Sequence, residues 1–226
     1  MSILSTYHAN GKLLLTGEYL VLHSAKAIAL PLKVGQQLSV SEGFSSESLV
    51  WQAFYKGKIW FACELNPENL SVISASSQEK AETLSQVFQT IINLNPGFKF
   101  KAGTNFETIL DSNPEWGFGS SSTLISLLSQ WAGVDPFALN ELIFHGSGFD
   151  IACATADGPI CYTKNKSSQP VALDYPFADQ LFLVYSGQKK KTVKEVGTFL
   201  KEKEVTAKLI EEVSVLADKF SLCRDQ

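Results

Sequence analysis

Apolar and polar residues alternate with period two along several stretches of the first half of the chain, the spacing that turns every second side chain of a strand to one face. Gln37 to Ser41 alternates in this way and predicts a half-buried strand. Lys12 to Thr16 is a short apolar run ended by Gly17, also a strand. Leu49 to Phe54 and Lys58 to Cys63 flank Tyr55-Lys56-Gly57, which predicts a hairpin. From Gln78 to Asn93 the period changes: Ala81, Leu84, Val87, Phe88, Ile91 and Ile92 recur at helical spacing. Asn95-Pro96-Gly97 stops that helix, and Phe98, Phe100 and Ala102 alternate as a further strand.

The second half turns helical. Asp111 to Gly119 reads as a loop, because Asn113-Pro114 and two glycines oppose regular structure. An apolar helix follows from Ser120 to Trp131 through Leu124, Ile125, Leu127 and Leu128. Asp135-Pro136 is an N-cap with a first-turn proline, so a second helix runs to about His145. Pro159 to Thr163 and Gln180 to Tyr185 read as strands, and Lys189 to Phe220 as two helices broken near Glu202-Lys203. Strands followed by helices, with no internal repeat, predict an α+β fold rather than a doubly wound sheet.

Composition narrows the classes. With 226 residues, 45% hydrophobic and 19% charged, the chain is long and apolar enough for a sizeable core. A net charge of -4 and the lack of a large basic cluster exclude a nucleic-acid surface. The densest basic run, Lys189-Lys190-Lys191 with Lys194, reads as a solvated helix face. No apolar run reaches the ~18 residues of a membrane span, and the N-terminus has no signal-peptide pattern, so a cytoplasmic location is expected. Cys63, Cys153, Cys161 and Cys223 are scattered without metal-ligand spacing and are expected to be reduced and mostly buried.

Three segments carry candidate chemistry. Gly117-Phe118-Gly119-Ser120-Ser121-Ser122-Thr123 joins two glycines to a run of hydroxyls where a helix begins. Unpaired N–H groups and partial positive charge at a helix start suit a phosphate, and a serine hydroxyl could also take a place on Mg²⁺. A glycine turn with serine N-caps would look the same. The segment is neither a P-loop, a complete G-x-G-x-x-G fingerprint nor a hydrolase elbow. Gly146-Ser147-Gly148-Phe149-Asp150 brings a tight turn to an aspartate that could accept a hydroxyl proton, or simply N-cap an Ile-Ala-Cys-Ala helix. In Gly11-Lys12-Leu13-Leu14-Leu15-Thr16-Gly17-Glu18, Lys12 is either a solvated strand end or a cation for phosphate charge. Glu18 could touch a polar substrate or pair with a lysine.

Taken in order over about residues 8 to 163, these segments resemble the motifs of the GHMP kinases, the superfamily of galactokinase, homoserine kinase, mevalonate kinase and phosphomevalonate kinase. Gly11 to His23 is similar to the first motif, and Gly117 to Ser122 to the second, a Gly-Leu-Gly-Ser-Ser-Ala loop. The Gly-Ser-Gly-Phe-Asp run at 146–150 resembles most the mevalonate and phosphomevalonate kinase branch. The resemblance implies a ribosomal-protein-S5-like N-terminal lobe over residues 1–165 and a partial ferredoxin-like C-terminal lobe over 166–226, with ATP between them. It implies a phosphate cradle of Gly117, Gly119, Ser120, Ser121 and Ser122, and a Mg²⁺ contact at Ser121 with Glu141 as a second metal ligand. It further implies Asp150 as catalytic base with Lys12 beside it, and Glu18 and His23 near a small-molecule acceptor.

Four positions depart from the pattern. Asn10 stands where proline usually precedes the Gly-Lys pair, Phe118 replaces the usual leucine, and Ser122-Thr123 replace small apolar residues. A later glycine-rich motif of these kinases has no counterpart, since no glycine follows Gly197. The expectation is a shortened kinase, with two alternatives: a nucleotide- or metabolite-binding relic, or a fragment that self-associates as a homodimer through an uncovered face.

Overall fold

The computed structural model describes residues 3–42, 47–166, 168–185, 187, 199 and 204–223. Its centre is one long strand, β2 (Ala27–Glu42), on which the rest of an eight-stranded sheet is built. β1 (Ile3–Leu14) runs antiparallel along β2, with Leu14 opposite Ala29 and Tyr7 opposite Leu38. β6 (Thr104–Leu110) pairs with the C-terminal half of β2, and β7 (Ile160–Tyr162) with its start. Beyond β6 lie β3 (Leu49–Tyr55), parallel to it, then β4 (Lys58–Leu65) and β5 (Val72–Ala75). β8 (Gln169–Pro170) closes the other edge on β7. The β3–β4 hairpin turns on Lys56 and Gly57, both with positive φ (50° and 71°), as a tight two-residue turn matched to strand twist requires.

The helices are α1 (Gln78–Leu94), α2 (Ser120–Ala132), α3 (Pro136–Phe144), α4 (Phe149–Ala154) and α5 (Ala207–Leu222). The apolar stripe of α1 and the apolar side of α2 cover one sheet face, burying Trp51, Phe88, Phe106, Ile125 and Leu128. Asp135 caps α3 as expected, its carboxylate accepting from Phe137 N–H at 3.0 Å. A smaller cluster, Val21, Ala27, Ala29, Cys153 and Ile160, seats α4 against the start of β2. α5 docks nearby: Lys26 pairs with Asp218 at 2.6 Å, and Ser214 Oγ accepts the Lys26 N–H at 3.1 Å. No helix among the described residues is long and apolar enough to cross a membrane.

The mixed α+β class matches the sequence reading, with local corrections. No strand forms over residues 98–102. Phe98 and Phe100 instead close the aromatic cluster against Trp131 and Phe88, at ring separations of 4.8 and 4.5 Å. Pairing starts one turn later, at Thr104, beyond Gly103 (φ 77°). Nor do residues 180–185 form a strand: a short 3-10 turn at Ala178–Gln180 leads into an unpaired, exposed run, Phe182 at 84% and Val184 at 89%. The basic run at Lys189 and, apart from Phe199, the first of the two expected C-terminal helices lie outside the described residues. Cys63 and Cys153 are buried, Cys161 is half-buried and Cys223 is exposed.

Candidate functional site

The end of β1 is where the three segments meet. The β1–β2 register slips after Asn10, so that Asn10 faces Gly35 and Gly11 faces Leu32. Gly11 must be glycine there, because a Cβ would lie 2.7 Å from Val34 O and 3.1 Å from Phe118 O. The glycine lets the second segment sit directly on the first, and Lys12 N–H donates to Phe118 O at 3.0 Å. Asn10 Nδ2 donates to Ala156 O at 2.9 Å and ties the same strand to the loop after α4.

The serine loop leads into the start of α2. Gly117 (φ 79°) ends a 3-10 turn at Pro114–Trp116, and Gly119 (φ 91°) precedes the first residue of α2. Thr123 N–H to Gly119 O, 2.9 Å, is the first bond of the helix. The N–H groups of Ser120, Ser121 and Ser122 therefore precede the intrahelical ladder, and no acidic residue occupies the first turn. That is a concentration of donors and partial positive charge suited to an anion. The hydroxyls are not equivalent. Ser122 is buried and donates back to Gly119 O at 2.9 Å, while Thr123 Oγ1 donates to the buried Gln36 Oε1 at 2.7 Å. Ser121 is exposed, and its hydroxyl has no partner among the described residues.

Lys12 links this cradle to the third segment. Its stem crosses Gly119, where an added Cβ would stand 3.1 Å from Cγ and 3.3 Å from Cε. Its ammonium lies over the Phe149 ring, 5.0 Å from the centroid. Phe149 opens α4, with Gly148 (φ 88°) as its N-cap; this corrects the alternative that Asp150 caps the helix. A side chain at Gly148 would strike Tyr162 Oη at 2.7 Å, and that hydroxyl donates to Ser147 O at 2.6 Å. Asp150 sits half-buried in the first turn of α4, accepting from Ile151 N–H at 3.1 Å. Burial pushes the Cys153 thiol up to about 12; the Asp150 charge adds to the rise and the Lys12 charge opposes it. One thiol thus feels both charges, although no direct ion pair joins Lys12 and Asp150 among the described residues. Burial also pushes the Tyr162 hydroxyl up to about 12, with the charges of Asp150 and Glu141 adding to it.

The remaining candidates lie around this centre. Glu18 is exposed just past β1, its carbonyl taking the Leu20 N–H at 2.7 Å. His23 ends the following 3-10 turn, and its Nε2 is buried without a hydrogen-bond partner. Glu141, on α3, faces Lys164 at 3.9 Å, and no described contact joins it to Ser121. Among the described residues, no group of three His, Cys, Asp or Glu side chains could hold a metal ion.

A cavity that no local motif announced adjoins the cradle. It measures about 310 Å³ and lies between the sheet, α1 and the start of α2. Trp51, Trp60, Phe61, Leu84, Leu124 and Phe144 supply apolar walls, and Ser120 and Ser121 line the same cavity. Cavities of roughly 300–1,000 Å³ with apolar walls and a few polar groups are the usual size for small ligands.

No protein-family model matches the chain, and a comparison with curated proteins finds no match. Solved structures do match. The mevalonate kinase of Methanococcus jannaschii superposes with a TM-score of 0.68 at 15% identity, over 99% of this chain and 74% of that one. The chain has the GHMP kinase fold. The L. major mevalonate kinase solved in complex with R-mevalonate gives a TM-score of 0.60 at 18% identity, over 96% of this chain and 68% of that one. The Streptococcus pneumoniae phosphomevalonate kinase, solved with phosphomevalonate and AMPPNP, gives 0.53 at 16%, over 92% and 56%. The GHMP kinase fold is the one the three motifs imply.

Proposed function

We propose that this GHMP-fold chain is a kinase that transfers the γ-phosphoryl group of ATP to a small-molecule alcohol or phosphate of the mevalonate-pathway kind. The observation that carries the proposal is the continuity of cavity and cradle: Ser120 and Ser121 belong to both. A nucleotide would put its base among Trp60, Leu124 and Phe144 and its phosphates on the open N–H groups of α2. The fit extends to Mg²⁺, which commonly takes only one or two protein ligands and completes its shell with water and substrate phosphates. The free Ser121 hydroxyl would hold it, whereas Glu141 is already engaged by Lys164. Bound there, the ion would neutralise phosphate charge.

The chain's own groups then divide the work. The first-turn N–H groups of α2 orient the phosphates. The Lys12 ammonium, held between Gly119 and the Phe149 ring, adds positive charge where negative charge accumulates. Asp150 accepts the proton of the acceptor hydroxyl, or orients it, as it attacks phosphorus. His23, with an unpartnered Nε2, and Glu18 stand on the segment after β1 and would meet the acceptor. The test is ADP release in a coupled assay with mevalonate, phosphomevalonate, homoserine and galactose as acceptors. Asp150→Asn is expected to lower turnover by about 10²–10⁴-fold with nucleotide affinity nearly intact. Turnover equal to the parent's would remove Asp150 from the mechanism, and nucleotide binding without turnover on any acceptor would make the chain a binding protein.

A further inference from the structure

The first turn of α2 is tied to the sheet by a hydrogen bond between two buried polar side chains. Thr123 Oγ1 donates to Gln36 Oε1 at 2.7 Å, and each residue is 3% exposed. Both are out of keeping with their surroundings. Gln36 shares the inward face of β2 with Leu38 and Val40, so an apolar side chain would suit its position. Thr123 is one of the residues that replace small apolar ones in the serine motif. Removing an amide and a hydroxyl from water is costly, and the bond between them does little more than offset that cost. What the bond adds is direction, because it forms at one rotation of α2 against β2.

Gln36 is a rigid anchor. Its backbone lies between Ala9 of β1 and Leu110 of β6. The preceding Gly35 is held by Asp111, whose Oδ2 accepts the Gly35 N–H at 2.9 Å and whose N–H donates to Gly35 O at 3.1 Å. The serine loop is thus fastened to the sheet at two points, at Phe118 O by Lys12 N–H and at Thr123 by Gln36. Between them lie Gly119 and the three serines that open α2. Ser120 O also lies 3.1 Å from the Thr123 hydroxyl. A hydroxyl has one proton to donate, so without Gln36 it turns back to its own helix and the second fastening is lost.

We infer that Gln36 and Thr123 are positioning residues for the phosphate cradle: their bond sets the rotation of the first turn of α2 and the aim of the Ser120, Ser121 and Ser122 N–H groups. The inference rests on the nucleotide reading above and names what holds its cradle in register. Hydrogen bonds weaken steeply as the donor leaves the line to its acceptor, and these three N–H groups swing together when the turn rotates.

The experiment compares the parent chain with Thr123→Ser, Thr123→Val, Gln36→Leu and the double variant Gln36→Leu/Thr123→Val. Thermal unfolding is measured beside calorimetric titration with Mg-ATP and, separately, with inorganic tripolyphosphate plus Mg²⁺. Gln36 also borders the cavity, so tripolyphosphate, which has no base, isolates the effect on the cradle. Thr123→Val leaves Gln36 Oε1 buried and unpaired; melting temperature should fall, and affinity for both probes should drop about tenfold, the scale of one charge-assisted hydrogen bond. Gln36→Leu lets the Thr123 hydroxyl turn to Ser120 O, so affinity should drop alike at a smaller loss of melting temperature. Thr123→Ser keeps the hydroxyl and should stay within about twofold of the parent for both probes. In the double variant both polar groups are gone, so melting temperature should return toward the parent's while both affinities stay about tenfold weaker. Affinity that follows melting temperature across the four variants would reduce the pair to a structural tie and overturn the inference. Unchanged tripolyphosphate affinity in Thr123→Val and Gln36→Leu, or a loss confined to ATP, would overturn it too, since the cradle would then be undisturbed. A parent chain that binds neither probe overturns the nucleotide reading itself, and the inference falls with it.

Discussion

Replacing Gly119 by alanine separates the backbone demand of the serine loop from its contact with Lys12. Gly119 holds φ at 91°, and a Cβ there would meet Ser122 Oγ at 2.9 Å and Lys12 Cγ at 3.1 Å. Gly117 is the matched control: its φ is 79°, but nothing lies within 4 Å of its Cβ position. Left-handed backbone costs a non-glycine residue roughly 1–2 kcal/mol, so both variants lose about that much stability. For a chain of this length that is a fall of roughly 2–8 °C in melting temperature. The variants part company on nucleotide binding. Gly119→Ala must push the Lys12 stem aside and disturb the Ser122 hydroxyl, removing about one charge-assisted hydrogen bond to phosphate. That corresponds to about a 10- to 100-fold weaker Mg-ATP complex. Gly117→Ala should stay within about threefold of the parent. Thermal unfolding and calorimetric titration of the three proteins give both quantities. Equal affinity losses in the two variants, or none in Gly119→Ala, would refute the claim that Lys12 is held over the cradle by this glycine.

Lys12→Met keeps the stem over Gly119 and removes the charge, so turnover should fall by about 10²–10³-fold with little change in melting temperature, measured by ADP release and thermal unfolding. The buried thiols set an alkaline limit. Burial raises Cys63 and Cys153 from 9.0 to about 12, so the folded state keeps their protons while the unfolded chain loses them. Their contribution is complete below pH 9 and is lost between pH 9 and about 12, at about 1.4 kcal/mol per pH unit for each thiol. Denaturant unfolding between pH 8 and 10.5 checks it, and a flat profile would contradict the assignment.

The sequence made the site's linear parts legible because each is a local signal. Gly117, Gly119 and the serines sit where a helix begins, and Gly148-Phe149-Asp150 marks another tight entry. The long helices were legible too, since Ala81 to Ile91 and Leu124 to Leu128 carry a strong period. β6 was not legible. Two of its inward positions are threonines and an outward one is Ile109, which blurs the alternation that marks a strand. Phe98 and Phe100 did alternate, but the same spacing serves two rings entering one aromatic cluster without a partner strand. The cavity could not be read at all. Its walls come from β3, β4, β6, α1, α2 and α3, and one wall residue, Trp60, arrives through a bulge that only cross-strand register reveals. The link from Gly11 to Phe118 was hidden in the same way, because a glycine that admits a neighbouring carbonyl looks like any other glycine.

The central claim is that one nucleotide spans the cavity and the α2 cradle, and photo-crosslinking with an azido-purine analogue of ATP tests it most directly. After irradiation with Mg²⁺ and proteolysis, label mapped by mass spectrometry is expected on cavity-wall peptides carrying Trp60, Leu124 or Phe144, and excess ATP should suppress it. Label confined to other surfaces, or label that ATP does not displace, would contradict the account.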